Sequence, residues 1–78
     1  MNSSLPEPLF EIHAYYVSDL AKLYVPNLTS QAAVRQLWRW ISYHPLLNEE
    51  LKQNGYVHKQ RCFTPKQVAC IVKHLGEP

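Results

Sequence analysis

Arg35, Gln36 and Arg39 fall within one stretch of helical periodicity. Arg can chelate guanine and Gln can chelate adenine through their major-groove edges, so this set on an exposed helix face has the chemistry of DNA readout. Lys59 and Arg61 on the segment that follows, with Lys66 at the start of the last periodic stretch, are suited to holding phosphates. The plainer account of the same residues is a solvated helix face without a ligand. Trp40 and Tyr43 lie toward the same side, and exposed Tyr and Trp are enriched at contact surfaces. They nominate a second use of this helix, as the face of a homodimer or of a contact with another protein. Trp40 sits to the side of the buried stripe, so a core position under the N-terminal strand or the third helix is also open to it.

Other chemistry finds less support. His58 and Cys62 are spaced to share a strand face, and Cys70 and His74 a helix face, which makes two pairs of metal-type side chains. The tight Cys-x-x-Cys knuckle of most zinc sites is missing, and no metal or other cofactor is expected. His13 and His44 have no titratable neighbour in sequence to make either a general base. Asp19, Glu49 and Glu50 read as a helix-start residue and a helix exterior, no glycine-rich phosphate loop is present, and Cys62 lacks a nucleophile context. A binding protein is expected rather than an enzyme, with no small-molecule substrate.

These side chains are positioned by short elements. Residues 1–8, with Ser3, Ser4, Pro6 and Pro8, read as a flexible leader, and 9–78 as a single domain. From Leu9 to Tyr16, apolar Phe10, Ile12, Ala14 and Tyr16 alternate with Glu11, His13 and Tyr15, the period of a half-buried strand. Ser18 is expected to cap a first helix that carries Leu20, Leu23 and Tyr24 on one face and stops before Pro26. A turn over 25–29 leads to a second helix, residues 30–43, capped by Ser30. Val34, Leu37, Trp38 and Ile41 form its buried stripe, with Ala32, Gln36, Arg39 and Tyr43 opposite and Arg35 alongside.

Leu46, Leu47 and Leu51 predict a short third helix ended by Asn54-Gly55, and Tyr56 to Phe63 a second strand able to pair with the first. Thr64-Pro65-Lys66-Gln67 is a capping box with proline at the first helical position. Val68, Ile71, Val72 and Leu75 then repeat the helical stripe up to Gly76. The two stripes should meet in one core.

Composition bounds the class. The chain has 78 residues, two glycines and six prolines, and 46% of it is hydrophobic, which fits one small folded domain. Its net charge of +2 conceals an uneven distribution. Residues 51–76 hold Lys52, Lys59, Arg61, Lys66 and Lys73 with no acid, a local charge of +5. A basic segment beside a polar helix is the footprint of a DNA binder, although a pI near 8.6 is modest for that class. No apolar run approaches the roughly 20 residues of a membrane span and no secretory signal is evident. With two cysteines only, a reduced, cytoplasmic protein without membrane contact is expected.

Two helices joined by a turn, with small Ala21 in the first, fit a helix-turn-helix. Ser18-Asp19-Leu20-Ala21-Lys22-Leu23, then Val34-Arg35, then Gly55-Tyr56 and Arg61-Cys62-Phe63-Thr64-Pro65 resemble the MerR and excisionase class of winged helix-turn-helix proteins. The residues between Tyr56 and Arg61 depart from that pattern. From Phe10 to Pro78 the chain also resembles domain-of-unknown-function family 4248, small gut-bacterial proteins. The matching features are Asp19-Leu20-Ala21-x-Leu23-Tyr24-x-Pro26, Ala33-x-x-Gln36-Leu37-x-Arg39-Trp40-Ile41, Phe63-Thr64-Pro65-x-Gln67-Val68 and Leu75-Gly76-Glu77-Pro78. That resemblance implies a compact, mostly helical domain and no particular activity.

The expected fold is therefore mainly α, a small winged-helix-like domain in the order β-α-α-α-β-α with its two strands antiparallel. The expected function is DNA binding in an accessory or regulatory role, with the second helix as recognition helix and duplex DNA as partner. The alternative is a protein-interaction module through Trp40 and Tyr43.

Overall fold

The computed structural model describes residues 10–78; the expected leader at 1–8, and Leu9, lie outside the described residues. The order is β1 (Tyr15–Tyr16), α1 (Val17–Tyr24), α2 (Ser30–Ser42), α3 (Pro45–Gln53), β2 (Cys62–Phe63) and α4 (Pro65–Leu75). This is the expected β-α-α-α-β-α order, and β1 and β2 pair antiparallel with Tyr15 opposite Phe63 and Tyr16 opposite Cys62.

Both strands are shorter than the alternation predicts. A strand needs a hydrogen-bonding partner along its length; in this antiparallel register the residues before Tyr15 would face Thr64 and the start of α4, and only α1 lies opposite the residues before Cys62. There the chain turns back on itself: the Gln60 amide donates to the Val57 carbonyl, the Gln60 side chain accepts from Val57 N–H at 2.9 Å, and Lys59 takes a φ of 68°. Residues 10–14 fold instead around Tyr15, whose ring stacks on Phe10 and His13 and whose hydroxyl donates to the Glu11 carbonyl. Residues 57–60 thus form a turn where a wing strand was expected.

The strand pair also sets the start of α1. Val17 N–H donates to the Arg61 carbonyl at 2.8 Å, so the helix begins directly off the sheet and no side chain caps it. Ser18 lies inside α1 rather than capping it. Val17, Leu20 and Ala21 are buried, whereas Leu23, placed on the core face by its spacing, is exposed. Lys22 closes the following turn by donating to the Pro26 and Leu28 carbonyls.

Thr29, one residue before the expected Ser30, caps α2 by accepting from Ala32 N–H at 3.2 Å. Its most buried line is Ala33, Leu37 and Ile41, which repeats every four residues and packs mainly on α1. Fully buried Ala21 and Ala33 let those two helices approach closely. Val34 and Trp38 lie beside this line, half-buried against the core.

The His44 Nδ1 caps α3 by accepting from Leu47 N–H, with Pro45 at its first position. Tyr56 N–H donates to the Leu51 carbonyl and Gly55 N–H to that of Lys52, a Schellman closure that requires the positive φ of 84° at Gly55. The capping box predicted for α4 is present in both directions between Thr64 and Gln67.

One core results. Leu37 and Ile41 from α2, Leu47 and Leu51 from α3, Phe63 from β2, and Val68 and Ile71 from α4 are all buried, and Val34, Trp38, Val72 and Leu75 pack against them. All eight residues of the two predicted stripes therefore belong to it. No described helix is long and apolar enough to cross a membrane.

Candidate functional site

Gln67 is the one buried polar side chain among the described residues, 2% exposed, and it fixes the ground on which the site stands. Its amide nitrogen donates to the Asn54 carbonyl at 2.9 Å, while its oxygen accepts from Thr64 N–H and from the Gln60 side chain at 2.7 Å. Gln60 in turn donates to the Cys62 carbonyl. The end of α3, the 57–60 turn and the start of α4 are thereby tied to one side chain, and a buried amide with three of its four hydrogen-bonding positions filled favours a single arrangement.

The turn held in this way stands beside the outer face of α2, and two adjoining grooves open between them. The first, about 520 Å³, runs between the β1–α1 junction, α2 and the turn, and is lined by Val34, Arg35, Trp38, Lys59, Gln60 and Arg61 among others. The second, about 540 Å³, lies between α2, α3 and residues 56–58, with Arg35, Arg39, Lys52 and the rings of Trp38, Tyr43, Tyr56 and His58 in its wall. Arg35 and Trp38 border both. Five of the eight Lys and Arg residues of the chain line these grooves, and none of the five acids among the described residues does. Among the described residues the salt bridges are those of Lys73 and His74 with Glu50, and none joins a groove cation to a described carboxylate.

Four of the six residues expected to touch DNA are thus brought together: Arg35, Arg39, Lys59 and Arg61, all exposed. Gln36 is not with them. It is half-buried and lines neither groove, because the buried line of α2 runs through Ala33, Leu37 and Ile41 and turns Gln36 toward the core side. Lys66 is exposed in the first turn of α4 and also lines neither groove.

The two aromatics proposed as an interface part company. Trp40 is half-buried against the core, its ring edge-on to that of Tyr24 at the end of α1 at 6.2 Å. Tyr24 is itself held by donating to the Gly76 carbonyl, and burial, helped by Glu77, pushes its phenol up to about 12. Tyr43 is 78% exposed at the end of α2.

Lys52 and Tyr56 are not site candidates by sequence, His58 is one only as a metal-type side chain paired with Cys62, and Trp38 is assigned to the core alone. Trp38 is wedged among Tyr56, His58 and Phe63 at 5.8, 5.5 and 6.0 Å and still borders both grooves. The +5 charge of residues 51–76 was the signal for Lys52; nothing in the periodicity marks the ring cluster.

A second polar cluster lies on the α3–α4 seam. The Glu50 carboxylate meets His74 Nε2 at 2.8 Å, Lys73 Nζ at 3.3 Å and the Cys70 thiol at 3.5 Å, and the His44 ring lies 4.9 Å from that of His74. The hydrogen bond with His74, then that with Lys73, holds the Glu50 carboxyl below its usual range. Burial first, and Glu50 second, push the Cys70 thiol up, which opposes formation of a thiolate nucleophile. Cys62 is exposed, and His58 packs on Trp38, so the two pairs of metal-type residues do not assemble into one set. Among the described residues no three His, Cys, Asp or Glu side chains are placed to hold a metal ion.

No curated protein and no solved structure matches this chain. The family model described as Domain of unknown function (DUF4248) matches residues 11–78, nearly all of the structure just described, and the chain belongs to that family.

Proposed function

We propose that this protein binds duplex DNA, with the outer face of α2 toward the major groove and the 57–61 turn on the backbone. The observation that supports it is the gathering of Arg35, Arg39, Lys52, Lys59 and Arg61 around two joined grooves that no acid among the described residues lines. Like charges repel, and a fold that collects them at one place without carboxylates creates a positive potential suited to a polyanion. Arg35 and Arg39 stand one helical turn apart on the same face, where guanidinium forks can reach base edges. The turn takes the place of the wing strand of a winged helix, with Lys59 and Arg61 as phosphate contacts. This is a binding role without chemistry of its own.

A titration of mixed-sequence duplex by fluorescence anisotropy at about 50 mM salt tests it. Binding should weaken linearly in log–log form as salt rises, and Lys59→Ala should flatten that slope by about 0.9 for one lost phosphate contact. Lys66→Ala, outside the grooves, should leave it unchanged. Absence of binding at low salt refutes the proposal, and equal effects of Lys59 and Lys66 refute the placement.

A protein contact remains the second reading, reduced to Tyr43 and neighbouring Leu46, 78% and 70% exposed at the α2–α3 corner. Self-association that Tyr43→Ala abolishes, in the absence of DNA binding, would favour it.

A further inference from the structure

The two grooves share their charge but differ in their walls. The one beside Lys59 and Arg61 has two rings, Tyr16 and Trp38, whereas the other is walled by four, Trp38, Tyr43, Tyr56 and His58. In that second groove Arg35, Arg39 and Lys52 supply the cations and Asn48 and Ser42 neutral hydrogen-bonding groups. Its volume of about 540 Å³ falls in the range of small-molecule sites.

An intact duplex explains the cations but not the rings. Paired bases already stack on each other and offer only their edges, so they cannot cover an aromatic wall. An unpaired base offers a free π-face, and stacking on protein aromatics is the usual means of holding one. Trp38 suits that task, since contacts with Tyr56, His58 and Phe63 fix its ring while it still borders the opening. Tyr43, otherwise a costly aromatic to leave in water, stands on the same wall. Arg35 joins the two grooves, so a strand whose base enters the second can continue along the basic track of the first.

We infer that the groove between α2, α3 and residues 56–58 takes one unpaired nucleobase of a nucleic-acid strand, stacked at Trp38 with the adjoining phosphates on Arg39 and Lys52. The inference rests on the reading of this face as a nucleic-acid surface and narrows its substrate to DNA with an unpaired or extruded base.

The test uses three labelled hairpin duplexes of one sequence: fully paired, with a one-nucleotide adenine bulge, and with the same bulge abasic. The two bulges carry the same phosphates and backbone length and differ in the base alone, so a difference between them reports the base. The adenine bulge should bind about tenfold more tightly than the abasic one. That advantage should shrink in Tyr43→Ala, a surface change that spares the core. In a Trp40→Phe background, where Trp38 is the remaining tryptophan, the adenine bulge should quench emission and the abasic bulge should not. Equal affinity for all three duplexes with unchanged emission overturns the inference and leaves duplex binding standing. No binding to any of them overturns both. Quenching by free adenosine monophosphate, without preference between the bulges, overturns it in favour of a free nucleotide.

Discussion

Replacing Gln67 with Met keeps the length of the side chain and removes its hydrogen-bonding groups, which isolates what the buried amide does. Three contacts to other residues' groups are lost: those to the Asn54 carbonyl, the Thr64 N–H and the Gln60 amide. A typical intramolecular hydrogen bond contributes about 1 kcal/mol net, and a buried partner left unsatisfied costs about 1–3 kcal/mol. Thr64 N–H and Gln60 lie near the surface and can turn to water, so the expected loss is about 2–4 kcal/mol. That is a large share of the roughly 5–15 kcal/mol of a small domain. The urea midpoint should fall accordingly with an unchanged m-value. Hydrogen exchange of amides 56–61 should accelerate more than that of α1, because the 57–60 turn loses its tie to α4. The grooves depend on that turn, so Gln67→Met should also weaken DNA binding although Gln67 touches neither groove. A destabilisation below about 1 kcal/mol, or exchange that rises equally everywhere, would refute the claim that Gln67 positions the turn.

Truncating Leu37 to Ala removes a fully buried side chain where α2 meets the core, and should cost about 2–5 kcal/mol in the same urea assay. The lowered Glu50 pKa has a defined sign. A carboxyl whose folded value lies below its unfolded one stabilises the fold at pH above the unfolded value of about 4.3, and this contribution is lost as pH falls through the folded value. Glu50→Gln should therefore lower stability at neutral pH and show a shallower acid-induced loss below about pH 4, read by circular dichroism at matched salt.

The sequence by itself determined the order of elements, the capping box at Thr64, the stop at Asn54-Gly55 and the burial of the α2 and α4 stripes in one core. These follow from local rules: cap chemistry acts within four residues, and a helical stripe of apolar side chains must be buried whatever it meets. It also determined that positive charge concentrates after Glu50. Tertiary structure decided what local rules leave open. Alternation from Phe10 to Tyr16 describes a strand in search of a partner, and only the fold shows that two residues find one, because the antiparallel register sets the residues before Tyr15 opposite Thr64 and the start of α4. Periodicity bounded the buried face of α2 to within a residue or so. The close approach of α1 at Ala33 then settled its rotation, which drew Gln36 inward and left Arg35 and Arg39 on the open side. Trp40 meets the ring of Tyr24, a residue sixteen positions away. The groove itself joins Arg35 and Arg39 on one helix to Lys52 on the next and Lys59 and Arg61 beyond it. No sequence spacing encodes that meeting, since it is fixed by how α2 and α3 pack and by the buried amide that holds the turn against them.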